Sequence, residues 1–409
     1  MSIPKEKEHS VWPLILSASA ILMITMGARQ STGLFVFPIS HSTGLGIVEI
    51  SFALAVGQFV WGAVQPIFGA VADQWGSHRV LILGAILLAA GLALTPFVTS
   101  EWGLIVTMGL LSAAGAGAGS FSTLIGATAQ SLPPERRSFA GGVINAGGSL
   151  GQFVFAPLLQ AIIGGFGWVA AMFTMAGMTL LTIPLAFSLR GGAASIPVAA
   201  DTRSTGGLRS QVIQALGNPS YLYLHAGFFT CGFHIAFLVT HLPGEVALCG
   251  HSANVSAASL AIIGLFNIAG SLLAGALGSR YQMKYILAAM YGSRAVMIAL
   301  YLLAPKTELT FYIFAAGLGF TWLATVPPTA GIVGKLFGTR YLATLFGLTL
   351  LTHQIGGFLG AWLGGIAMHH DGNYLWMWYA DIALASAAAL VNLPIREPKI
   401  GEVHAANPK

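Results

Sequence analysis

Apolar residues run along the chain in long blocks, each closed by a short polar or turn-forming cluster. A helix that crosses the hydrocarbon core of a bilayer needs about 20 predominantly apolar residues. Blocks of that length lie at 12–37, 48–72, 79–99, 102–130, 138–163 and 167–189, and again at 219–244, 253–278, 283–304, 308–335, 341–368 and 373–394. Between them stand Gly76, Pro133-Pro134, Gly250 and Asp371-Gly372, residue types that turn a chain. One longer polar stretch, 190–218, is rich in Gly, Ser and Thr and separates six blocks from six. The pattern predicts an all-α membrane protein of twelve transmembrane helices, with halves at 1–189 and 219–409, a linker at 190–218 and a short C-terminal tail.

Composition supports the pattern. Only 8% of residues are charged, against roughly 25% in a soluble domain. Apolar residues make up 56% and the mean hydropathy is +0.78. Too little charge is present to cover a water-exposed surface, which excludes a soluble enzyme, and too little polarity for a disordered chain. The 52 glycines follow no collagen period and fit close helix packing in a membrane. The net charge of +5 is scattered singly between apolar blocks, so no nucleic-acid partner is expected. Cys231 and Cys249 set no disulfide framework or metal site. Residues 1–10 are polar and the following block is too long for a signal peptide, so it is read as the first span.

Lys and Arg set the orientation. With twelve spans, 15 basic residues fall on the side of the N-terminus and one, Lys306, on the other, while Arg29 and Arg294 fall inside spans. Such asymmetry marks the basic side as cytoplasmic, which places both termini there.

The halves also repeat. Offsets of 204 to 206 residues lay Gly27, Arg29 and Pro38 on Gly232, His234 and Pro243, Gly69 on Gly275, and Gly115 and Arg136 on Gly319 and Arg340. The same shift lays Gly142 and Gly151 on Gly347 and Gly356. A nearly constant offset across four helix pairs predicts two pseudo-symmetric six-helix bundles. In secondary transporters built from repeats, substrate binds between the halves near the midplane.

Two motifs carry a family resemblance. Gly69-Ala-Val-Ala-Asp73-Gln-Trp-Gly76-Ser-His-Arg79 resembles the loop signature of the major facilitator superfamily, with Gln74 and His78 departing from its basic positions. Arg136-Arg137-Ser-Phe-Ala140-Gly-Gly142, continuing through Gly147 to Gly151, resembles the fifth-helix pattern of monocarboxylate transporters and bacterial oxalate/formate exchangers. The resemblance implies the major facilitator fold, alternating access, a lipid-embedded monomer and a bacterial inner membrane. It implies gating roles for Gly69, Asp73, Gly76, Arg79, Arg136 and Arg340. The first, eighth and eleventh spans lack the charged residues typical of the animal monocarboxylate transporters.

Ionisable groups inside spans are costly and therefore informative. Arg29 lies about 25 Å from the N-terminal side at ~1.5 Å per residue. In families of this fold the first and fourth helices of each half line the cavity, so the resemblance puts Arg29 on the path. There it either binds or gates an anion, as a guanidinium forks onto a carboxylate, or is satisfied by backbone carbonyls. His234, its repeat equivalent, is a candidate to clamp the same anion from the other half. Arg294 and Asp381 reach similar depths and are expected to form a structural ion pair, with a proton-relay role for Asp381 as the alternative. Gln30, Asn145, Gln152, Asn267, Trp322, His353 and Gln354 complete the candidate binding set.

The expected function is a secondary active transporter of a small organic anion, a mono- or dicarboxylate, by anion exchange or proton coupling. The alternative is a proton-coupled exporter of a drug or metabolite, although G-P-x-x-G-G is missing from the fifth span. No P-loop, H-E-x-x-H or nucleophile elbow occurs, so neither an enzyme nor a cofactor is expected.

Overall fold

The computed structural model describes residues 12–131, 134–190, 208–278, 280–337 and 342–397. Helices are the only regular elements among them. Ten helices are long and apolar enough to cross a membrane. One of these, Ala140–Phe187, holds two spans, because Gly167 takes φ +84 and reverses the chain. The 30-residue helix Leu342–Asp371 supplies the twelfth. Large apolar side chains face outward, Leu303 being 85% and Phe166 81% exposed. In water this surface would drive aggregation; in lipid it is the expected one.

The helices pack with the predicted pseudo-symmetry. The first lies on the fifth as the seventh lies on the eleventh. The second lies on the fourth as the eighth lies on the tenth. Across the halves, the second packs on the eleventh as the eighth packs on the fifth. Repeated glycines explain the close approaches. A Cβ at Gly151 would strike the Met23 carbonyl, and one at its equivalent Gly356 would strike that of Phe229. Gly147 meets Ser19 in the same seam.

Contacts between the halves run from mid-span, where Gly62 meets Gln354 and Gly264 meets Ser149, to the end away from the N-terminus. There Gly33 abuts the carbonyls of Val239 and Thr240, Gly365 abuts Ser51, and Phe52 stacks edge-on against Phe358 at 5.9 Å and Trp362 at 5.7 Å. Toward the N-terminal side, Gly69, Gly142, Gly275 and Gly347 on the four interface helices have open space where a Cβ would point. The bundles are closed at the end away from the N-terminus.

Among the described residues several spans are interrupted, which apolar periodicity does not predict. The first is an α-helix to Gln30, a 3₁₀ turn over Thr32–Phe35, and α-helix again over Val36–Thr43. Hydroxyls of Ser31 and Thr32 donate to the Gly27 and Arg29 carbonyls at this break. The fourth winds as a π-helix over Ile105–Ser112, with Ser112 Oγ donating to the Thr107 carbonyl at 2.8 Å. The tenth opens between Glu308–Thr321 and Val326–Phe337. The expected linker contains a helix, Leu208–Leu216.

Candidate functional site

Arg29 occupies the last turn of the first helix, just before its 3₁₀ break. Its guanidinium stacks over Trp61 at 4.2 Å and donates through Nη2 to Gln58 Oε1. Gln58 and Trp61 are one turn apart on the second helix, so both point to the same face. A cavity of about 50 Å³ opens here, walled by Leu54, Leu88, Met108 and Ala116. Ser112, at the end of the π-helix, also lines it, and the extra residue in a π turn turns a side chain toward the cavity. Among the described residues, no carboxylate lies within ion-pair distance of Arg29. Gln58 and Trp61 therefore belong to the Arg29 site; their spacing on one helix face was the available signal.

His234 does not stand ready to share a clamp with Arg29. It is fully buried and its Nδ1 is hydrogen-bonded to Asp381 Oδ2. This also corrects the expected Arg294–Asp381 pair. Arg294 is fully buried and donates through Nη2 to the Thr321 carbonyl at 2.7 Å and the Trp322 carbonyl at 3.5 Å. The physical reason is the break in the tenth helix. It leaves C-terminal carbonyls without intrahelical partners, and these carry negative partial charge that attracts a cation. Depth along the bilayer matched Arg294 with Asp381, but helix ends and helix faces decided the partners.

The remaining candidates divide between the interface and the bundle cores. Asn267 donates through Nδ2 to Ser149 Oγ at 3.0 Å across the halves, and its Oδ1 accepts from the Leu323 amide at 2.9 Å inside the tenth-helix break. Asn145 is half-buried one turn before Ser149. Gln152 is buried beside Gly264 of the eighth helix, with its Nε2 unpartnered. Gln354 packs its methylenes against Gly62 and donates to His353 Nδ1 at 3.0 Å. Gln30 is buried with Oε1 unpartnered. Trp322 lies in the tenth-helix break, its ring 6.0 Å from that of His234 and its Nε1 unpartnered. Buried polar atoms without partners are rare in proteins and concentrate where a ligand, water or proton is handled.

Of the expected gating residues, Gly76 adopts φ +91 between the second and third spans, a region open to glycine. Gly69 faces open space and Arg79 is exposed. The side chains of Asp73 and Arg136, and the whole of Arg340, lie outside the described residues.

A twelve-helix, two-bundle membrane protein with polar groups gathered on its interface helices has the form of a solute transporter. The chain belongs to the Major Facilitator Superfamily, whose sequence profile matches residues 18–361. It is 26% identical to rat monocarboxylate transporter 13 over 389 residues, covering 94% of this chain and 89% of that one. It is also 26% identical to the oxalate:formate antiporter of Oxalobacter formigenes over 359 residues, covering 86% and 84%. The crystal structure of a bacterial homologue of the human lysosomal transporter Spinster, inward-facing and unoccupied, superposes with a TM-score of 0.70 at 14% identity and 95% coverage of both chains. The protein is an integral membrane transporter and not an enzyme.

Proposed function

We propose that this chain is a secondary active transporter of a small organic anion, a mono- or dicarboxylate, working by alternating access. The observation that carries the proposal is Arg29, a guanidinium in a membrane span with an amide and an indole for neighbours and no carboxylate within ion-pair distance among the described residues. A charge at that depth is costly unless compensated, and a substrate carboxylate compensates it through two parallel hydrogen bonds. The names of the relatives, a monocarboxylate transporter and an oxalate:formate antiporter, agree with this choice of substrate class.

The bundles span residues 1–189 and 219–409, and 190–218 links them. The 15-to-1 basic bias supports cytoplasmic termini in a bacterial inner membrane. With that orientation the closed end faces away from the cytoplasm, and the basic loops lie on the cytoplasmic side. Asp73, Arg79, Arg136 and Arg340 then latch the alternative state on that side, and the carrier works as a monomer.

Counterflow of radiolabelled pyruvate and oxalate in proteoliposomes tests the reading. Arg29→Ala should lower apparent affinity about 10- to 100-fold, the worth of a charged hydrogen-bonded contact of ~1.5–3 kcal/mol. Arg29→Lys should restore little, because a lysine ammonium lacks the planar fork. Unchanged counterflow in Arg29→Ala would remove Arg29 from the site.

A further inference from the structure

The C-terminal bundle holds a second charged cluster that anion binding does not use. His234 on the seventh helix, Arg294 on the ninth and Asp381 on the twelfth are each fully buried. His234 and Asp381 are bonded to each other, yet His234 Nε2, Asp381 Oδ1, and Arg294 Nε and Nη1 have no hydrogen-bond partner. With Nδ1–H donating to Oδ2, His234 Nε2 carries a free lone pair. Two proton-accepting atoms thus stand unpartnered in a buried cluster whose charges, one guanidinium and one carboxylate, sum to zero.

We propose that the His234–Asp381 pair is the proton-binding site of this transporter, separate from the anion site at Arg29. One proton is taken at His234 Nε2, giving an imidazolium–carboxylate pair, and is released to the opposite side after the bundles rock. The groups around the pair are few. The seventh helix adds Cys231, whose Sγ contacts Thr325 Oγ1 at 3.4 Å. The ninth adds Arg294 and Tyr291, the guanidinium lying 5.4 Å from the phenol ring. The tenth presents Trp322 and Thr325, and the twelfth Trp378 one turn before Asp381. The eleventh presents His353, which lies in electrostatic range of both Arg29 and Arg294. Asp381 is the one carboxylate within ion-pair distance of His234 among the described residues.

A mechanical route leads from the pair to the bundle interface. Protonation places a second cation, the His234 imidazolium, within electrostatic range of Arg294. Arg294 holds the Thr321 and Trp322 carbonyls at the tenth-helix break. The next amide in that break, Leu323, is held by Asn267, and Asn267 also bonds Ser149 of the other bundle. Proton binding therefore reaches a contact that must break when the bundles move.

The test uses the full-length protein with spin labels at Ser42 and Asn254, exposed positions on opposite bundles at the closed end. Cys249 is replaced by serine for this purpose, while Cys231 is buried. In the wild type the distance distribution should shift between acid and alkaline pH without any substrate; in Asp381→Asn and His234→Gln it should be independent of pH. Two variants are used so that misfolding of one leaves the other to decide. A pH-dependent shift that persists in a folded variant, or no shift in the wild type, overturns the proposal. The transport consequence rests on the organic-anion reading. A gradient of about one pH unit should drive about tenfold accumulation of pyruvate per coupled proton. Asp381→Asn should only equilibrate pyruvate while keeping counterflow. Accumulation at the wild-type level in that variant refutes the proton site and leaves the anion reading standing. A pH-dependent distance shift lost in both variants, with no carboxylate transported, refutes the anion reading and leaves the proton site standing.

Discussion

Gly33→Ala should disable one state of the transport cycle while leaving both bundles folded. Gly33 lies in the 3₁₀ turn that follows Arg29, and its partner is the seventh helix of the other half. A Cβ there would overlap the Val239 carbonyl oxygen and stand 3.0 Å from that of Thr240 and 3.2 Å from the Val239 carbonyl carbon. These are backbone atoms, so no rotamer change relieves the conflict. Adding one methyl group to a filled contact costs ~1–3 kcal/mol. This contact exists between bundles, so the cost falls on the state closed at that end and not on the fold of either half. The ratio of closed to open should fall about 5- to 150-fold. Spin labels at Ser42 and Asn254 should report a longer distance in Gly33→Ala, and turnover should drop while the melting temperature of detergent-purified protein stays near that of the wild type. An unchanged distance distribution with normal turnover would show that this contact does not set the conformational balance.

Other glycines separate folding from cycling. Gly232→Ala places a Cβ into the His353 carbonyl within one bundle, so the thermal melt should weaken by ~1–3 kcal/mol, checked by thermal unfolding in detergent with bundle distances unaltered. Gly76→Ala forces a side chain into φ +91 at ~1–3 kcal/mol; expression and melting temperature should both fall, whereas Gly69→Ala, which meets open space, should leave stability intact. Asn267→Ala strips the Leu323 amide of its acceptor inside the membrane, a loss of ~1–3 kcal/mol that should appear as a lower melting temperature and faster label motion in the tenth helix.

Hydropathy blocks and the repeat made the architecture legible because both follow from composition along a line. A bilayer demands about 20 apolar residues per crossing whatever the neighbours are. Glycines at equal offsets mark the seams where helices meet. Gly151 and Gly356 were legible for that reason, as was Arg29, since charge in an apolar block stands out in any sequence. The partners of those charges were not legible. Depth, a coordinate that sequence supplies, pairs Arg294 with Asp381. Their actual neighbours depend on azimuth, on which face of each helix turns inward, and on where a helix opens its carbonyls. Trp322, Leu323 and the π turn ending at Ser112 lie in apolar stretches whose periodicity carries no sign of a break.

Sequence by itself therefore determined the membrane class, the count of spans, the two-fold repeat and the presence of a charge at Arg29, because lipid imposes length and polarity rules residue by residue. Tertiary structure alone decided that Gln58 and Trp61 hold Arg29, that His234 belongs to Asp381, and that Arg294 tends a broken helix. Those assignments depend on distances between helices far apart in the chain. Inside a low-dielectric bundle, a hydrogen bond or ion pair is made or lost over about an ångström, and no spacing along the sequence encodes that.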